Sequence, residues 1–345
     1  MSLKNFNKIK IIKIIIAVLI IVCLWIAIEW VSFLQTPLVP EGEKSVDFVY
    51  LPGKTVKSLA YQLKKSHVLQ HPEMFVALAE LKGVTLQLKA GEYRIDPGMR
   101  PATLINKMAK GEMLIHTFTI VEGWTFKQFI AALNEESALT HTLKGANDSA
   151  IMEAIGHTGE SPEGRFAPVT FYFSGPTTDV FILKQAYDLM QKKLDELWQK
   201  RANDLPFNCP YKALIAASII EKETSYQPEK PKIAGVIARR LKIGMMLQVD
   251  PAVIYGLGDR YNGKLTPEDL TKDSGYNTYL HKDLPPTPIA MPSFDSINAA
   301  LHPAEGTELY YVAKNDGTGS HEFSKTLGEQ NAAIKKSVGA TADRP

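Results

Sequence analysis

A chain of 345 residues, 45% hydrophobic and 22% charged, is long enough for one large or two ordinary domains with buried cores, and its composition excludes a disordered protein. Its 39 basic and 37 acidic residues leave a net charge of +2 without a basic stripe, so no nucleic acid is expected as a partner. Only two cysteines occur, and Cys23 lies in an apolar N-terminal run, so Cys209 has no disulfide partner within the soluble part.

That run is the first predicted element. Ile14 to Ile28 is unbroken apolar sequence, and residues 11–34 add only Lys13 and Glu29, which is enough to span a bilayer. Lys4, Lys8, Lys10 and Lys13 precede the span, and the positive-inside bias puts residues 1–10 in the cytoplasm. No small-x-small cleavage pattern follows at Leu34 to Val39, and no small residues precede Cys23 as a lipoprotein site requires. The span therefore reads as an uncleaved anchor, followed by a linker at residues 35–45 with Pro37 and Pro40.

A pattern of short strand, Gly turn and helix then recurs. Gly53 leads to Leu59 and Leu63, Gly98 to Leu104 and Met108, and Gly123 to Phe129 and Leu133. The strands before them are predicted at Val46 to Tyr50, Glu92 to Ile95 and Thr117 to Val121, with an extra helix at Pro72 to Leu81. Unequal spacing argues against a solenoid and for small α+β modules. From Thr140 to Gly175, frequent Gly and Pro predict loops around a short helix at Asp148 to Ile155. Thr178 or Asp179 caps a long helix whose stripe is Leu183, Ala186, Tyr187, Met190, Leu194 and Leu197. Tyr211 to Thr224 reads as a nearly all-apolar helix, and Lys232 to Ile243 as a second that stops at Gly244. Leu309 to Ala313 and His321 to Ser324 predict a hairpin around Asn315, Asp316 and Gly317, then a terminal helix.

The apolar helix ends in Glu221, Lys222 and Glu223. Glu221 shares a helical face with Leu214, Ala217 and Ser218, whose small members are expected to leave room for a ligand. A carboxyl at the end of so apolar a helix is expected to be desolvated, which raises its pKa toward the range of a general acid. The alternative is a helix-end glutamate paired with Lys222 or Arg240, while Glu223 reads as a solvated charge. Gly258 to Lys264 has the spacing of a phosphate loop, but Leu265 replaces the hydroxyl residue that would hold magnesium. The histidines show no metal-ligand spacing and Ser218 lies in no nucleophile elbow, so neither a metal nor a serine hydrolase is expected. Downstream, Gln248, Asp250, Tyr255, Tyr276, Asn277, Tyr279 and His321 combine aromatic faces with amide and carboxylate groups. That mixture suits a carbohydrate cleft, although any one tyrosine taken alone is better read as a core residue.

Several motifs in fixed order change the weight of these pieces: Ala217-Ser-Ile-Ile-Glu221-Lys-Glu223-Thr, Leu247-Gln-x-Asp-Pro-x-Val-Ile-Tyr255-Gly, Tyr276-Asn-Thr-Tyr279, Leu284-Pro-Pro and Gly319-x-His321-x-Phe323. Together they closely resemble the endolytic murein transglycosylases, the YceG-like or MltG family. The resemblance implies an α+β fold: a transmembrane helix, a small LysM-like α+β module at residues 46–115 and a larger mixed α/β catalytic domain at residues 116–340. It implies that Glu221 is the acid and base of a lytic transglycosylase that opens the β-1,4 bond between N-acetylmuramic acid and N-acetylglucosamine and leaves 1,6-anhydro ends. No cofactor and no metal enter that chemistry. By the same resemblance Gln248, Asp250, Asn277, Tyr279 and His321 fall at substrate-binding positions. The implied partners are peptidoglycan glycan strands, penicillin-binding proteins and the wall-elongation machinery, and a bilayer crossed by one helix. The catalytic domain is then periplasmic, held at the inner membrane, where it trims or terminates nascent strands. Two positions depart from the family pattern, Val169 standing where an Asp is usual and Thr287 where a Gly is usual. Two rival readings are a lysozyme-like muramidase with Asp250 as second carboxylate, and a noncatalytic wall-binding scaffold.

Overall fold

The computed structural model describes residues 3–314 and 316–342, a mixed α and β chain that divides into two units. One comprises Met1–His116 with Tyr172–Thr177, and the other Thr117–Phe171 with Thr178–Pro345.

The first unit opens with the helix Leu3–Gln35. Its stretch Lys10–Gln35 is long and apolar enough to cross a membrane, and the apolar side chains from Ile11 to Ile28 are exposed. That is compatible with a single-pass anchor. The end of the helix is built into the unit, for Phe33 is buried and Trp30 and Leu34 pack on the same core. The stretch expected as a linker is tied down as well. Leu38 N donates to Met99 O at 2.8 Å and Gly98 N to Val39 O at 2.9 Å, with Leu38 and Val39 buried.

Strands Val46–Tyr50 and Gly91–Ile95 pair antiparallel with Phe48 opposite Tyr93. Their alternation sends Phe48, Tyr50, Tyr93 and Ile95 inward. Helices Val56–Lys65, Pro72–Leu81 and Pro101–Lys110 share that core through Leu59, Leu63, Phe75, Leu104 and Met108. The recurring glycine has a backbone cause. Gly53, Gly98 and Gly123 have φ of 76°, 79° and 76°, a left-handed turn between strand and helix that a β-carbon would penalise. At all three copies the paired apolar residues are buried, including Phe129 and Leu133 in the second unit.

The second unit is organised around the helix Pro210–Glu223. Pro210 sits in the first turn, where a missing N–H costs nothing, and every residue from Ala213 to Ile220 is buried. Helices Asp179–Gln199, Lys230–Lys242, Asp250–Leu257 and Phe294–Leu301 pack against it. The first is capped by Thr178, whose hydroxyl accepts from Phe181 N at 3.3 Å, and it buries most of the predicted stripe. Helices Asp250–Leu257 and Phe294–Leu301 lie outside the predicted elements. The face of Leu214, Ala217 and Ser218 is packed shut, contrary to the expectation of room for a ligand. All three are fully buried, and Ser218 Oγ donates to Ile215 O at 2.7 Å and accepts from Ile289 N at 3.0 Å. Small side chains there serve close packing. Strands Tyr310–Ala313 and His321–Ser324 pair antiparallel, and the predicted turn residue Asn315 lies outside the described residues. The helix Leu327–Ala342 follows.

Candidate active site

Glu221 lies in the last turn of the core helix with its side chain 8% exposed. Four donors converge on its Oε2: Ser293 N at 2.9 Å, Ser293 Oγ at 2.5 Å, Ser296 Oγ at 2.6 Å and Lys230 Nζ at 3.1 Å. Oε1 has no hydrogen-bond partner among the described residues. One oxygen is held by four donors, and the other meets none among the described residues.

Local sequence places each donor. Ser293 has an extended backbone as N-cap of Phe294–Leu301, and its hydroxyl accepts from Ser296 N at 3.2 Å. A carboxylate at that helix start meets unsatisfied N–H groups and the positive end of the helix dipole. Lys230 begins the helix Lys230–Lys242, is 1% exposed, and also donates to Ser293 Oγ at 3.0 Å. Each ion of this buried pair would be costly without the other.

Burial raises the Glu221 carboxyl, but the Ser293 and Ser296 hydrogen bonds and the Lys230 charge outweigh it, and the group lies below the ordinary glutamate value. The expectation of a raised pKa is thereby corrected: the apolar helix delivers the carboxyl to a polar socket on another element. The cation is Lys230, whereas Lys222 Nζ donates to Gly123 O at 3.2 Å and Arg240 holds Leu309 O and Leu247 O, both at 2.6 Å. Glu223, expected to be solvated, is the raised group. Burial and the Asp250 charge push it up to about 7 against a Tyr311 hydrogen bond and the Arg240 charge.

Four of the predicted cleft residues come together around one strap. Gln248 N donates to Thr278 O at 3.0 Å, Val249 N to Thr278 Oγ1 at 2.9 Å, and Tyr279 OH to Asp250 Oδ1 at 2.6 Å. Gln248 and Asp250 are exposed, and Gln248 has φ 52°, a conformation that a non-glycine residue keeps only when its surroundings fix it. Asn277 is buried, and its amide is used on Leu270 O, Lys272 O and Tyr279 N, so it shapes the strap from inside. His321 stands apart from them. Its Nδ1 is 2.9 Å from Glu229 Oε2, its backbone N donates to both Glu229 oxygens, and its ring meets Tyr311 edge-on. Glu229 directly precedes Lys230, which moors the His321 strand next to the Glu221 cation. At the departing positions, Thr287 Oγ1 accepts from Tyr276 OH and donates to Pro288 O, both at 2.8 Å, while Val169 packs on the core.

Sequence reasoning missed Lys230, Ser293, Ser296 and Glu122. The serines carried a signal, since Ser293 and Ser296 after Pro292 and before Ile297, Ala300 and Leu301 form a helix-start pattern. Lys230 lies beyond a turn from Glu221, so no helical spacing relates the two. Glu122 belongs to a turn fixed beside Glu221. There Gly123 N donates to Met291 O at 2.8 Å, Met291 N donates to Trp124 O at 2.7 Å, and a β-carbon on Gly123 would lie 3.9 Å from Glu221 Cγ.

Residues 49–336 match the profile of the YceG-like family. The chain is 29% identical over 333 residues to the endolytic murein transglycosylase of Bacillus subtilis (strain 168), with 90% of each chain covered. It is 26% identical over 312 residues to the endolytic murein transglycosylase of Streptococcus pneumoniae serotype 2 (strain D39 / NCTC 7466), covering 80% of this chain and 56% of that one. A crystal structure of a YceG-like protein from Listeria monocytogenes is 28% identical, with a TM-score of 0.49 over 84% of this chain and 99% of that one. With most of its length matched, the chain belongs to the YceG-like family.

Proposed function

We propose that this chain is an endolytic lytic transglycosylase that cuts peptidoglycan glycan strands between N-acetylmuramic acid and N-acetylglucosamine and leaves a 1,6-anhydro end. The observation that carries this reading is the asymmetry of Glu221, a buried carboxyl with Oε2 occupied by four donors and Oε1 without a partner among the described residues. Family membership and the names of the relatives support peptidoglycan as the substrate.

In this chemistry Oε1 carries a proton to the glycosidic oxygen as the C1–O bond breaks, and the substrate's acetamido group stabilises the charge at C1. The carboxylate left behind then takes the proton of the C6 hydroxyl as that oxygen bonds to C1. The proton is back on Glu221 and no water is consumed. Proximity favours the internal hydroxyl over solvent. The four donors hold the carboxylate in one orientation and stabilise the charge it bears between the two transfers.

Gln248, Asp250 and Tyr279 supply glycan contacts from the strap that Asn277 supports, and His321 supplies another from its own strand. The unit of two strands and three helices before residue 116 acts as a LysM-like module that positions glycan. The helix Leu3–Gln35 anchors the chain with its N-terminus in the cytoplasm and the catalytic domain outside, beside penicillin-binding proteins that extend strands. Asp250 fits the lysozyme-like role poorly, since it is bonded to Tyr279 and its charge acts on Glu223. Incubation of the full chain with purified sacculi tests the reading. Soluble fragments should be released, and release should fall about 10²-fold or more in folded Glu221→Gln. Binding without release would favour the scaffold.

A further inference from the structure

We propose that Glu122 is a second carboxyl of this site, a proton-relay residue that shares one proton with Glu221 and delivers it to Oε1. The inference rests on Glu221 as the reacting group and adds the source of its proton.

The geometry begins with the turn that carries Glu122. Two hydrogen bonds to Met291, from Gly123 N and back to Trp124 O, clamp this turn two residues before Ser293. Lys222 Nζ reaches over to Gly123 O, and the left-handed glycine passes so close that an added β-carbon would meet Lys222 Cδ at 3.8 Å and Glu221 Cγ at 3.9 Å. Glu122, the residue before it, is thereby held on a fixed turn beside Glu221, close enough for the two charges to interact. Glu122 is exposed as a residue while its carboxyl is partly desolvated, and the charged groups around it are Glu221 and Lys222 on the core helix, Lys230 on the next helix, and Asp295 on Phe294–Leu301.

A general acid must hold a proton, yet Ser293, Ser296 and Lys230 favour the ionised form of Glu221. Glu122 is biased the other way. Partial burial raises its carboxyl, the Glu221 charge raises it further, Lys230 opposes this and Asp295 adds to it. Starting from the same ordinary value, Glu122 takes up a proton at higher pH than Glu221. Neighbouring carboxylates that repel each other titrate as a pair, and the pair keeps one proton to higher pH than Glu221 alone would. The proton moves from Glu122 to Glu221 Oε1, directly or through one water, and on to the glycosidic oxygen. The proton of the C6 hydroxyl then returns to Glu221 and reloads Glu122, so the cycle consumes nothing besides the glycan bond.

The test measures release of anhydro ends from sacculi by the full chain against pH for wild type, Glu122→Gln, Glu122→Asp and Glu221→Gln. Glu122→Gln should melt like wild type, lose about 100-fold in kcat, and show the alkaline limb of kcat/KM at lower pH, because Glu221 alone releases its proton sooner. Glu122→Asp keeps the acid and should restore most of the rate and the limb. A Glu122→Gln protein with wild-type rate and profile would overturn the proposal, as would a slower one whose alkaline limb has not moved. If wild type itself gives no anhydro ends, it is the Glu221 reading that fails. If wild type gives them and Glu122→Gln matches it, only the relay fails.

Discussion

Glu221 and Glu223 leave the same helix end two residues apart, on sides separated by about 200° of helix rotation, and meet opposite environments. On the first side a helix start, two serine hydroxyls and a buried lysine favour the carboxylate. On the second, burial and the nearby Asp250 charge push the carboxyl up to about 7 against a Tyr311 hydrogen bond and the Arg240 charge. The helix supplies direction only. The elements packed on each side decide which glutamate is held toward its ionised form and which is pushed toward its protonated one.

The largest expected effect breaks that comparison directly. Glu221→Gln should lower cleavage by about 10²- to 10⁴-fold, whereas Glu223→Gln should stay within about tenfold of wild type, both read as fragments released from sacculi. Equal losses would erase the distinction between the two sides. Next comes Lys230→Met, which leaves Glu221 buried without its cation and should cost about 3–5 kcal/mol in a denaturant titration. It should also move Glu221 titration upward, so the stability that this carboxylate contributes above its ordinary pKa is lost at higher pH as acid is added.

A third expectation concerns the other side. The folded value of Glu223 lies above the ordinary 4.5, so its contribution to stability is complete below 4.5 and is lost as pH rises through about 7. Thermal melts of Glu223→Gln, which cannot ionise, should therefore gain on wild type as pH rises across that window. A constant difference would show that Glu223 is not raised. Ser293→Ala removes an N-cap and one donor to Glu221, and should cost about 0.5–2 kcal/mol by denaturant titration while shifting the pH–rate profile upward. Smallest is Tyr279→Phe, which removes the bond to the exposed Asp250 carboxylate. It should weaken glycan binding by about 1 kcal/mol with little change in kcat.

Much of the scaffold was legible because it rests on local rules. The helix Pro72–Leu81 and the strand Val46–Tyr50 fall where pattern and punctuation put them, and the stripe from Leu183 to Leu194 is buried as its period requires. The position of Glu221 at the end of an apolar helix was equally readable. Its electrostatics were not, since Ser293 and Ser296 stand more than seventy residues away and enter through the packing of Phe294–Leu301 on the core helix. Glu122 was hidden for the same reason: its Gly123 turn was visible as a turn, but the hydrogen bonds to Met291 that bring it to the site are tertiary. Asn277 was legible as a polar residue, but not the burial of its side chain, which is used on backbone groups of its own strap.

The central claim, that Glu221 drives attack by the sugar's own C6 hydroxyl and not by water, is tested most directly by mass spectrometry of the ends released when the full chain digests purified sacculi. The account predicts muramic acid ends lighter by one water than hydrolysed reducing ends, present with wild type and absent with folded Glu221→Gln. Reducing ends throughout, or undiminished anhydro ends from the Gln variant, would contradict it.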